Sequence, residues 1–334
     1  MTVPGPVATA LTPLVDVPAG TFRMGSTDFY PEEGPVREVE VGAFALERHP
    51  VTNAQFARFV AATGYVTVAE RPLDPAEFPG VDLRDLVPGG LVFTPTAGPV
   101  DLRDWRQWWR WQPGASWRQP GGPGTSTEGR EDHPVVLVAY EDAASYAAWA
   151  GRDLPTEAEL EYAARGGADG TTTYAWGDDV RPDGRLMANT WQGQFPYENT
   201  GAEGWVGTSP VGSFPANGYG LVDLIGNVWE WTTTFYLTGA ARHAHDGACC
   251  APSSDDLSPA ARASMSPGER QPRKALKGGS HLCAPEYCLR YRPAARSAQS
   301  VDSATTHIGF RCVVRPGGPG AAPAMPDGAR NLLG

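Results

Sequence analysis

Apolar and polar positions alternate in only a few stretches of this chain, and those stretches predict its regular elements. Over Val36–Phe44, Val39 and Val41 alternate with Glu38 and Glu40, the two-residue period of a half-buried strand. Val17–Gly25 reads as a short strand between turns. A helix is predicted after Thr52, which caps it; Phe56, Phe59 and Val60 line one face and Gly64 stops it. The continuous apolar run Pro134–Val138 suits a buried strand. Glu141–Trp149 predicts a second helix stopped by Gly151. A third starts at Thr156, which forms a T-x-x-E capping box with Glu159, and ends at Gly166-Gly167.

Elsewhere the period is lost. From about 70 to 130 the chain carries a tryptophan cluster (Trp105, Trp108, Trp109, Trp111, Trp117) and a Gly/Pro/Ser loop at 119–128. Beyond residue 167 it is rich in turns and aromatics, residues 251–272 read as a solvated loop and 317–334 as a disordered tail. With no repeat and no linker, the expectation is one domain over 14–316, preceded by an N-terminal segment, 1–13.

Composition supports a loop-rich fold. The 334 residues include 40 Gly and 32 Pro, nearly twice average usage. No Gly-X-Y period accompanies them, so collagen is excluded. A net charge of −11 opposes binding to nucleic acid or to anionic membranes. No apolar run is long enough to span a bilayer. The first basic residue is Arg23, so no secretory signal is read, and five cysteines form an odd set. These features make the cytoplasm the expected location.

Three clusters carry candidate chemistry. In Lys277–Arg292, Cys283 and Cys288 stand five apart, and an ideal strand would send them to opposite faces. Ala284-Pro285 predicts a bend that brings the two sulfurs together. Two converging thiolates favour a soft, low-coordinate metal such as Cu(I), and Arg290, Arg292 and Arg296 are placed to lower their pKa values. Two half-buried structural cysteines remain the alternative. His243, His245, Cys249 and Cys250 have a zinc-like inventory, but adjacent cysteines make awkward ligands and a flexible insert explains them as well. In Asn217–Trp231, Asp223 and Glu230 lie in a Gly-punctuated path whose carbonyls suit Ca²⁺, against the alternative of a core segment packing Trp229 and Trp231. No G-x-S-x-G elbow surrounds Ser280.

The motifs Gly20–Gly25, Pro50–Asn53, Leu154–Glu159, Ala188–Gly193, Asn217–Trp231 and Gly309–Cys312, with Gly278-Gly-Ser280 before the cysteine pair, resemble the formylglycine-generating enzymes, also called sulfatase-modifying factors. The resemblance runs over about 14–315. It implies an α/β, loop-rich single domain of C-type-lectin-like fold with low regular secondary structure. It also implies O₂-dependent oxidation of the cysteine in C-x-P-x-R segments of nascent sulfatases to Cα-formylglycine by a monomeric enzyme. In that family Cu(I) sits between the two cysteines that match Cys283 and Cys288, the substrate thiolate adds as a third sulfur, and a Cβ hydrogen is removed. A thioaldehyde then hydrolyses to the aldehyde.

Carried over by position, Ser280 and Tyr287 hydrogen-bond around O₂ or the substrate sulfur, Trp229 forms the pocket wall, and Arg292 is a neighbour. Two calcium sets also map: Asn189, Thr190, Glu203 and Trp205, then Asp223, Leu224, Gly226, Val228 and Glu230. Glu203 stands where the family has Asp, Asp223 where it has Asn, and Leu160 where it has Trp. Ala147 and Pro293 occupy positions that are disulfide partners in secreted relatives, leaving Cys312 without one. Two other readings stand beside the copper oxidase. One is a metal-free thiol/disulfide oxygenase with the same product; the other is a non-catalytic, calcium-stabilised peptide-binding module of the same fold.

Overall fold

The computed structural model describes residues 10–318 except 78–79, 169–171 and 240–256. Among the described residues there are eleven short strands and four helices. In chain order they are β1 (Leu14–Val17), β2 (Gly20–Met24), β3 (Arg37–Val41), β4 (Phe44–Glu47), α1 (Asn53–Thr63), β5 (Gly89–Phe93), β6 (Trp109–Pro113), α2 (Tyr140–Trp149), α3 (Glu157–Arg165), β7 (Trp229–Phe235), α4 (Pro259–Ser264), β8 (Arg273–Lys277), β9 (Arg296–Ser300), β10 (Ile308–Gly309) and β11 (Val313–Val314). The sheets run β1-β4-β11, β10-β7-β8-β9, β2-β3 and β5-β6. Among the described strands, only β10 and β7 pair in parallel.

Local chemistry accounts for the helices. Thr52 accepts from the Gln55 amide, the Gln55 side chain returns to the Thr52 amide, and Gly64 closes α1 in the left-handed region. Thr156 and Glu159 form the reciprocal box of α3, and Gly166 ends it at φ 62. Helix α2 begins one residue before Glu141, at Tyr140. The core joins Phe56, Phe59, Tyr146, Trp117 and Phe310 to Trp229, Trp231 and Cys283.

Three expectations are corrected. Pro134–Val138 is buried but is not a strand. Leu137 takes φ 58, and the amides of Val135 and Leu137 bond separate loops at Val51 and Thr305. Val36–Phe44 is not one strand, since β3 ends at Val41 and β4 starts at Phe44. Within 251–272, Ser258 caps α4, whose Ala261 and Ser264 are buried. The insert with His243, His245, Cys249 and Cys250 lies outside the described residues, as do 1–9 and 319–334.

The four-stranded sheet buries a lysine. Lys274 on β8 is 6% exposed, donates to the Thr233 carbonyl at 2.5 Å, and sits 3.4 Å over the Phe235 ring and 4.9 Å over that of Tyr140. Burial pulls its pKa from 10.5 to about 7. Between those values the unfolded chain holds a proton that the folded chain releases, so this group's contribution rises with pH across about 7–10.5. Urea unfolding should therefore show wild type gaining on Lys274→Met by about 2 kcal/mol from pH 7 to pH 9. A pH-independent difference would contradict the assignment.

Candidate active site

The expected bend forms between the two cysteines. After Ser280, the Cys283 amide bonds the Ser280 carbonyl at 2.9 Å, and the amides of Tyr287 and Cys288 turn back onto the Ala284 carbonyl at 3.1 and 2.7 Å. The chain therefore reverses within Cys283–Cys288, leaving the sulfurs 3.2 Å apart. Gly279, at φ +75, fits where an added Cβ would lie 2.7 Å from the Arg290 carbonyl. This close approach lets the descending and returning arms share one turn.

The two thiols have different surroundings. Cys283 is 1% exposed and accepts from the Ser280 amide at 3.4 Å. Burial pushes its thiol well above the usual range, with the neighbouring Cys288 adding to the effect. Cys288 is half-buried and its pKa is lowered, first by the hydrogen bond from Cys283 and then by Arg290, whose Nη1 lies 4.0 Å from the sulfur. Of the two, Cys288 is therefore the thiol that gives up its proton more readily. The burial of Cys283 and the Arg290 charge both favour this order.

Around them stand the other predicted residues. Ser280 is fully buried, and its Oγ accepts from the Leu282 amide at 3.2 Å. Tyr287 stacks on Phe195 at 4.5 Å and meets Trp108 edge-on at 5.2 Å. Burial, with both cysteines adding, raises its hydroxyl to about 12, so it keeps its proton. Trp229, 4% exposed at the start of β7, belongs to the core cluster containing Cys283.

The three arginines separate. Arg290 alone approaches a thiol. Arg292 is 1% exposed, pairs with Glu33 through both terminal nitrogens at 2.9 and 2.5 Å, and bonds the Leu289 carbonyl. Arg296 pairs with Glu157 at 2.7 and 2.8 Å. Two residues from the other end of the chain, Tyr30 and Glu32, also reach this site. The Tyr30 hydroxyl accepts from the Leu289 amide at 3.0 Å, and Glu32 pairs with Arg290 at 2.6 Å. No local pattern marked them, because they lie more than 250 positions from their partners.

The two oxygen-rich sets adjoin through their backbones. The Asn227 amide bonds the Asn189 carbonyl at 2.9 Å, and Gly226 fits against that carbonyl where a Cβ would come within 2.4 Å. In the first set, Asn189 Nδ2 donates to Gly207 and Ser209, while its buried Oδ1 has no hydrogen-bond partner. The Thr190 carbonyl accepts from Gln192, and Glu203 and Trp205 lie on an exposed turn. In the second, Asp223 Oδ2 accepts from the Gly212 amide at 2.6 Å and its Oδ1 is buried without a partner. Burial raises Asp223 to about 6. The Leu224 carbonyl faces Gly278, and Val228 is fully buried. Glu230 is bidentate to Arg311 at 2.7 and 2.8 Å. Among the described residues, no three His, Cys, Asp or Glu side chains gather as a metal site, so a hard cation here would draw on amide and carbonyl oxygens beside the Asp223 carboxylate.

The chain is similar to known proteins along most of its length. The family described as sulfatase-modifying factor enzyme 1-like domain matches residues 2–316. A formylglycine-generating enzyme of Mycobacterium tuberculosis is 67% identical, covering 92% of this chain and 99% of its own. One from Thermomonospora curvata is 45% identical, over 91% and 93%. Among solved structures, PvdO from Pseudomonas aeruginosa aligns with a TM-score of 0.57 at 24% identity, covering 90% and 94% of the two chains, which shows a shared fold. Matched along nearly its whole described length, the chain belongs to the formylglycine-generating enzyme family.

Proposed function

We propose that this chain converts the cysteine of C-x-P-x-R segments in sulfatase polypeptides to Cα-formylglycine, using O₂ and Cu(I) held by Cys283 and Cys288. The observation that carries the reading is the thiol pair itself: two sulfurs at 3.2 Å, one buried and one half-buried in a tyrosine- and tryptophan-walled site. Such a donor set suits a soft monovalent ion. Bound Cu(I) would supply a thiophilic centre at which the substrate sulfur and O₂ meet.

The protein groups divide the remaining work. Cys283 is fixed by the Ser280 turn, so its sulfur holds position. Cys288, with the lower pKa, enters as thiolate without a large proton cost. The protonated Tyr287 hydroxyl is a donor for an incoming oxygen or sulfur, and its stack on Phe195 restricts it to small rotations. Trp229 and Trp108 keep water from the buried side. Loss of two protons, one from the thiol and one from Cβ, together with two electrons turns the substrate cysteine into a thioaldehyde, and O₂ takes up both electrons and both protons, at the level of hydrogen peroxide. Water then replaces sulfur with oxygen and releases hydrogen sulfide.

Purified protein with Cu(I) and O₂ should form an aldehyde on a C-x-P-x-R peptide, and none when Ser replaces its Cys. Retained peptide binding with no aldehyde under any metal condition would favour the binding-module reading. A cytoplasmic location fits the free state of Cys283, Cys288 and Cys312, and among the described residues no helix is long and apolar enough to cross a membrane.

Calcium is part of the proposal. The orphaned Oδ1 atoms of Asn189 and Asp223 are hard donors of the required kind. Chelation should lower the thermal midpoint by about 5 °C if the ion is normally held near 100 times its Kd. Protonation competes at Asp223, so calcium retention should weaken as pH falls through about 6. An unchanged midpoint with and without chelator would remove the calcium assignment.

A further inference from the structure

Cys283 and Cys288 are held by different parts of the chain. Cys283 is anchored by Ser280 within its own turn and by the Trp191 amide, which bonds its carbonyl at 3.0 Å. The arm that carries Cys288 is gripped from the other end of the sequence, by a strap at residues 29–33. The Tyr30 hydroxyl accepts from the Leu289 amide at 3.0 Å, and the Tyr30 ring lies 3.9 Å beneath the Arg290 guanidinium. Glu32 takes the outer face of Arg290 at 2.6 Å, while Phe29 and Glu33 hold Arg292. Within its own arm, Cys288 has one backbone tether, to the Ala284 carbonyl at 2.7 Å.

We infer that Tyr30 is a positioning residue for Cys288: its hydroxyl fixes the Leu289 amide and its ring the Arg290 guanidinium, and together they set the distance between the two sulfurs. The inference rests on the reading of Cys283 and Cys288 as the reactive, metal-holding pair. Its geometry is asymmetric, because the strap contacts Leu289, Arg290 and Arg292 while Cys283 is secured by Ser280 and Trp191. Loosening the strap should therefore free one thiol and leave the other in place.

Tyr30→Phe deletes the hydroxyl and keeps the ring. In the reduced, metal-free full chain, site-resolved alkylation by iodoacetamide should speed up about fivefold at Cys288 and stay unchanged at Cys283, the loss of one hydrogen bond expressed as a rate ratio. Cu(I) affinity, read by competition with a chromophoric chelator, should fall by a similar factor, and the drop should vanish when Cys288 is already Ala. Tyr65→Phe, which removes a hydroxyl bonded to Asp142, controls for general loosening and should change neither readout. Glu32→Gln should act in the same direction as Tyr30→Phe and serves if that variant fails to fold. Equal Cys288 alkylation in wild type and both strap variants, or equal acceleration of both thiols, would overturn the inference. Failure of wild type to bind Cu(I) would instead end the copper reading, and the alkylation rates would still decide the role of Tyr30.

Discussion

Replacing either Cys283 or Cys288 with Ala is expected to lower aldehyde formation about a thousandfold, a loss of about 4 kcal/mol of transition-state stabilisation. The thermal midpoint should move by only a few degrees, because each change removes one small side chain. The two variants should be nearly equal in effect. A two-thiolate centre loses its function when either ligand leaves, and a thiol/disulfide relay does the same. Their combined replacement should cost little more than one alone, since the groups act as a unit. Peptide oxidation assayed on both single variants and the double variant checks this. Activity retained in either single variant would make that cysteine structural, and retention in both would transfer weight to the binding-module reading.

Arg311→Met should destabilise the fold by about 3–5 kcal/mol, the usual range for removing one partner of a buried ion pair. Arg311 is fully buried and bidentate to Glu230, and it also bonds the carbonyls of Glu47, Arg48 and Val222. It joins the end of β4 and the Asn217–Asn227 loop to β7. Burial already raises the Glu230 pKa, and Arg311 is the principal opposing influence. Without Arg311, Glu230 is left to take up a proton in the interior. Stability of the variant should then improve relative to wild type as pH falls toward the acid range, because removing Arg311 raises the Glu230 pKa further. Glu230→Gln in the Arg311→Met background should recover part of the loss. Urea unfolding of the single and double variants at two pH values decides it, and a single-variant loss under about 1 kcal/mol would contradict a structural role for the pair.

What the sequence disclosed follows from how far apart the interacting groups lie. Helices α1 and α3 were readable because Thr52 and Gln55, or Thr156 and Glu159, complete their caps within three residues. The convergence of Cys283 and Cys288 was readable for the same reason, as Ala284-Pro285 bends a short segment. Pro134–Val138 misled because apolar content reports burial, whereas strand formation depends on continuous pairing. Here the partners are Val51 and Thr305, in unrelated loops. Proximity in sequence likewise grouped Arg290, Arg292 and Arg296 around the thiols. Their distant anions, Glu32, Glu33 and Glu157, instead direct two of the three away. The strap that grips the Cys288 arm had no local signature at all. For calcium, oxygen-bearing residues could be counted in sequence, but the orphaned Oδ1 atoms of Asn189 and Asp223 and the pairing of Glu230 with Arg311 required the folded chain.

The central claim is that copper held by Cys283 and Cys288 carries out the oxidation, and it separates the copper oxidase from a metal-free relay sharing the same residues. The direct measurement is the initial rate of aldehyde formation on a C-x-P-x-R peptide by chelator-stripped protein, with Cu(I) added back in steps. Negligible activity is expected at zero copper, followed by a linear rise and a plateau at one equivalent per chain. Full activity in stripped protein, or no response to copper at any ratio, would contradict that claim.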